Sequence, residues 1–103
     1  MNTTLLNHNQ ILEIIQLSVN NLHKSEIIPS EFIIASNTNL FGNDSGIDSM
    51  GFVALISDVE DAVNKCANSD IYIVLTDIEE MFPLEKNLTA GMLADYLITI
   101  LKA

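Results

Sequence analysis

Apolar side chains return every three or four positions over residues 7–24. Leu12, Ile15, Val19 and Leu22 form one stripe, and Ile11 and Ile14 widen it. That spacing predicts an amphipathic helix. Residues 49–65 repeat the pattern through Phe52, Leu55, Ile56, Val59 and Val63, with Cys66 next in line. Cys66 is accordingly expected to be a small buried apolar residue rather than a nucleophile. A last stripe of Leu93, Tyr96, Leu97, Ile100 and Leu101 predicts a helix capped by Thr89 and running through Leu101.

The intervals are less regular. "SEIIPSEFIIASNTNLFGNDSGID", residues 25–48, holds a proline that breaks any long helix, and its second half is rich in Asn, Gly and Ser. A loop of this length in a small domain is unusual and generally functional. Ile27, Ile28, Phe32, Ile33 and Leu40 are expected to pin it to the core, with a short helical turn near residues 30–34. The apolar run 71–75 resembles a buried strand, but no second strand is evident to pair with it. An extended or partly helical packed segment is expected there. Residues 77–82 read as a short helix ended by Pro83. With no repeat, linker or convincing sheet, residues 1–103 predict a single all-α domain. Its architecture is a small antiparallel four-helix bundle of three longer helices and one short one, with a long loop between the first two.

Composition narrows the function. Fourteen acidic side chains against four basic ones give a net charge of -10. The cations are Lys24, Lys65, Lys86 and Lys102, with no arginine. Nucleic-acid binding and attachment to anionic membranes both need a basic face, so neither is expected. A partner with a basic patch is the natural counterpart. One cysteine permits no internal disulfide, which suits a reducing cytoplasm. The first ten residues lack the pattern of a secretory signal, and no segment reaches transmembrane length. The asparagine glycosylation patterns at Asn2, Asn43 and Asn87 carry little weight in so Asn-rich a chain.

The chemistry centres on "GIDSMGFVALISDVED", residues 46–61, where Ser49 stands between a polar loop and an apolar helix. No catalytic arrangement fits. Gly46 lies three residues before Ser49, not two as a nucleophile elbow requires, and no strand precedes it. His8 and His23 belong to the first helix and make no triad with Ser49. A calcium loop aligned on Gly46 would put Phe41 and Phe52 at ligand positions, and no Cys/His cluster offers a metal site. A phosphate fits better. A helix start presents unpaired N–H groups and partial positive charge, and a phosphodiester on Ser49 would lie against both. Met50, one residue into the exposed helix start, is a candidate partner contact. Ser45 is a weaker alternative, because Gly46 keeps it from starting the helix.

This stretch resembles the attachment motif of acyl carrier proteins, Asp-Ser-Leu or Asp-Ser-Met at the start of the second helix, with Asp48-Ser49-Met50 matching residue by residue. "NTNLFGNDSGI" resembles the family's preceding loop. "NLTAGMLADYLITIL" resembles its last helix through Asp95-Tyr96-Leu97. The likeness spans roughly residues 9–102. It implies a protein that is not an enzyme. A phosphopantetheinyl transferase would place 4'-phosphopantetheine from coenzyme A on Ser49, and the arm's thiol would carry an acyl or related group as a thioester. Acyl-activating, condensing or acyltransferase enzymes of fatty-acid, polyketide or related specialised biosynthesis would meet the carrier through basic patches. The corresponding docking residues are Asp48, Met50, Asp58, Glu60 and Asp61. A monomer is expected. Ala54, at a position often acidic in fatty-acid carriers, and the long interval 66–88 point to a stand-alone carrier of a specialised pathway. The alternatives are a peptidyl or aminoacyl carrier, and an unmodified acidic helical adaptor with Ser49 as a cap only.

Overall fold

The computed structural model describes residues 6–28, 33–41, 47–82 and 87–102. Its elements are α1 (His8–Lys24), β1 (Asn39–Phe41), α2 (Ser49–Ala67), α3 (Leu75–Met81), β2 (Leu88–Thr89) and α4 (Ala90–Lys102). The described chain is mostly helical, with three longer helices and one short one. α1 packs against both α2 and α4, and α3 rests on α4.

Local chemistry sets the helix ends. Asn7 caps α1 in a reciprocal box, its Oδ1 accepting from Gln10 N while Gln10 Oε1 accepts from Asn7 N. At the other end Glu26 turns into the left-handed region, φ 64°, and Ile27 and Ile28 donate back to the Leu22 carbonyl. α2 ends in the same manner, with Asn68 at φ 54°. The core runs along the predicted stripes. Ile11, Ile15 and Val19 meet Leu55, Val59 and Val63, with Leu93 and Leu97 completing the interior, all fully buried. Each such side chain contributes about 1.5–3 kcal/mol relative to exposure.

The structure corrects the sequence reading at four places. A small sheet exists: β1 and β2 pair antiparallel, Asn39 opposite Thr89 and Phe41 opposite Leu88, with an irregularity between. Strands of three and two residues are too short to show alternation, and their partners lie far apart in the chain. Cys66 is exposed, because Ala67, four residues after Val63, takes the buried position instead. In the long connection Ile28 and Leu40 are fully buried, as expected, but Ile27 and Ile33 are exposed. Phe32 lies outside the described residues. So do residues 30–32 of the expected helical turn, while Ile33 and Ile34 are irregular. Finally, the short helix starts two residues earlier than predicted, at Leu75, and ends at Met81.

Residues 71–74 before α3 form neither helix nor strand, and side chains hold their backbone at Ile71, Ile73 and Val74. Asn64 Oδ1 accepts from Ile71 N at 2.9 Å, and Asn64 Nδ2 donates to Ile71 O at 3.0 Å. Glu60 Oε1 accepts from Ile73 N at 2.7 Å, and the Tyr96 hydroxyl accepts from Val74 N at 3.1 Å.

Candidate functional site

α2 opens at Ser49. Asp48 is its N-cap, with extended backbone, and its Oδ1 accepts from Gly51 N at 2.7 Å. The Asp48 carbonyl accepts from Phe52 N at 2.8 Å, the first bond of the helix ladder. The capping role that sequence offered to Ser49 therefore belongs to Asp48, and Ser49 occupies the first helical position. The side chain of Ser49 lies outside what the structure describes, as do residues 42–46, which include Ser45 and Gly46. Asp48 is exposed, and Met50 is 82% exposed. Gly51 is closely packed: a Cβ there would lie 3.1 Å from Ile47 Cγ2 and 3.2 Å from Asp48 Oδ1, so those side chains would have to give by a few tenths of an ångström. The first turn is thereby held close to the loop that delivers it.

One turn further on, α2 forms a wall of a cleft of about 360 Å³. Phe52 and Val53 line it with Phe41 of β1, Leu75, Ile78 and Phe82 around α3, Leu88 of β2 and Met92 of α4. Phe41 and Phe52 stack at a tilt, ring centroids 4.7 Å apart. The cleft's polar members are Glu79 and Asn87. Sequence reasoning missed this feature, because its walls come from five elements and no single periodicity marks them.

The remaining candidate docking residues do not act as one group. Asp58 is half-buried toward α1. Glu60 is half-buried, and its carboxylate holds Ile73 in place. Asp61 pairs with Lys65 at 2.9 Å, one helical turn away. That hydrogen bond and the Asp61 charge, with a push from Asp58, hold the Lys65 ammonium above the usual lysine value. Asp48 and Met50 stand at the start of the helix, away from these three. His8 lies 3.5 Å from Asp95 and ties α1 to α4, while His23 Nδ1 sits 3.1 Å from the Ile28 carbonyl. Among the described residues no group of three His, Cys, Asp or Glu is placed to hold a metal ion, and no helix is long and apolar enough to cross a membrane. Comparison with protein-family models, curated proteins and solved structures returned no match to this chain.

Proposed function

We propose that this protein is a carrier: a small antiparallel helical bundle that bears 4'-phosphopantetheine on Ser49 and presents a thioester-bound acyl or related group to cytoplasmic biosynthetic enzymes. The observation that carries the reading is the opening of α2 at Ser49, between an exposed Asp48 that caps the helix and a Met50 that stands in solvent. Because Asp48 performs the capping, the serine hydroxyl is not needed for it. A phosphodiester on that oxygen would meet the positive end of a helix of 19 residues. The resemblance of Asp48-Ser49-Met50 to the acyl-carrier motif supports the same assignment.

In this reading the chain performs no chemistry on its cargo. Its tasks are to tether, to shelter and to dock. The flexible arm delivers the thioester to each enzyme and raises its local concentration. The aromatic-walled cleft lies beside the first turns of α2 and offers an apolar cargo a dry surface, at about 0.8 kcal/mol per buried methylene. Met50 and Val53, both exposed, border this end and give partner enzymes an apolar contact. The acidic surface steers basic partners into brief encounters.

The test is an intact-mass measurement after incubation with coenzyme A and a phosphopantetheinyl transferase. One added pantetheine arm is expected, and none in Ser49→Ala. An unmodified wild-type chain with several transferases would overturn the carrier and leave an acidic adaptor.

A further inference from the structure

The cleft beside α2 gathers a kind of side chain that the core hardly uses. The chain has four phenylalanines, and three of them, Phe41, Phe52 and Phe82, line this one cleft. Apart from Phe52 and Tyr96, the described buried core is aliphatic. Sealing that interior does not call for the other two rings. Phe41 is 42% exposed and Phe82 is half-buried, so both keep apolar ring surface open to the cleft they line. Met92 adds a polarizable thioether, and its Sδ accepts from Thr89 N at 3.5 Å, which fixes where the sulfur stands.

Three properties of this lining say what it takes. The planes of Phe41 and Phe52 meet at 41° with centroids 4.7 Å apart, an angled pair that a third ring can join edge to face. Ring–ring and sulfur–ring contacts come on top of area burial, and an alkyl chain gains area alone. The volume of about 360 Å³ lies at the small end for ligand pockets and suits one ring on a short linker better than a long chain. The one charge in the described lining is the exposed carboxylate of Glu79, which repels an anionic cargo and tolerates a neutral one.

We propose that the group carried here is an aryl acyl group: a single neutral aromatic ring on a short linker, lodged among Phe41, Phe52, Phe82 and the Met92 sulfur. This rests on the carrier reading, which leaves the cargo open, and narrows that cargo to one chemical class. The rings then select, whereas the aliphatic residues of the cleft only exclude water.

The probes are the phenylpropanoyl and nonanoyl thioesters of free pantetheine, equal in carbon number, titrated separately into the isotopically labelled, unmodified full-length chain. Neither needs attachment at Ser49. The phenylpropanoyl probe is expected to bind about tenfold tighter, although it carries less apolar surface. Its shifts should gather at Phe52, Leu75, Ile78, Leu88 and Met92. Phe41→Leu removes a ring and keeps an apolar residue. It should reduce the preference to about twofold or less and leave nonanoyl affinity within about twofold, with helical circular dichroism unchanged. Nonanoyl binding as tight as phenylpropanoyl, equal weakening of both by Phe41→Leu, shifts centred elsewhere, or no binding of either probe would overturn the proposal. Such a failure beside a normal mass shift at Ser49 removes the cargo class and leaves the carrier. An aryl preference in a chain that no transferase modifies removes the carrier and leaves a cleft for a free aryl ligand.

Discussion

The connection between α1 and α2 and the one between α2 and α3 both carry irregular backbone past a helical core, and they satisfy it by different means. The first uses main chain where it meets α4, although Gln16 Oε1 also accepts from Ile34 N at 2.7 Å and Thr38 Oγ1 from Ala35 N at 2.9 Å. Thr38 and Ser36 carbonyls each accept at 2.8 Å, from Ala90 N and Gly91 N, and so close the N-terminus of α4, while β1 pairs with β2. The second uses side chains: Asn64, Glu60 and Tyr96 hold residues 71–74. Backbone pairing leaves sequence free but demands close approach. Side-chain pairing permits distance but fixes identity. The contrast predicts steric sensitivity in the first connection and sensitivity to single polar atoms in the second.

The largest effect should come from Gly91. A Cβ there would sit 2.8 Å from the Ser36 carbonyl oxygen, a backbone atom that cannot swing aside. Gly91→Val is expected to cost about 3 kcal/mol in urea unfolding and to speed hydrogen exchange at Ala90. Asn64→Ala should cost about 2 kcal/mol, because it leaves both the N–H and the C=O of Ile71 without their partner. Exchange should then rise at Ile71 and stay slow at Ala90, the reverse of the Gly91 variant. Tyr96→Phe removes one acceptor from Val74 and keeps the buried ring, for about 1 kcal/mol. Equal exchange at both connections in all three variants would erase the distinction.

The same contrast explains what could be read from the sequence. α1, α2 and α4 were legible because each keeps an apolar stripe over several turns, and the register of that stripe decides which residues are buried. It failed at Cys66, where the choice between steps of three and four falls to Ala67 at the helix end. The sheet was illegible because strands of two and three residues carry no period. The anchoring of residues 71–74 was illegible because Asn64, Glu60 and Tyr96 read as an ordinary surface or stripe until tertiary structure brings them to one segment. At the candidate site, the start of the helix at Ser49 followed from local grammar, since capping is settled within four residues. Which residue does the capping did not, and neither did the cleft, whose lining is gathered from Phe41 to Met92. Of the acidic trio, spacing alone could not separate Glu60, which turns toward Ile73, from Asp61, which pairs outward with Lys65.

The outward position of Cys66 bears on how loading would be measured. Reagents that count sulfhydryls would find one in the bare chain and two once an arm were attached, so a colour change by itself would not report occupancy. Replacing that sulfur, as in Cys66→Ser, makes every remaining signal the arm's own. Kept in place, it offers a dye a foothold at the opposite end of α2, about 25 Å along the helix from Ser49.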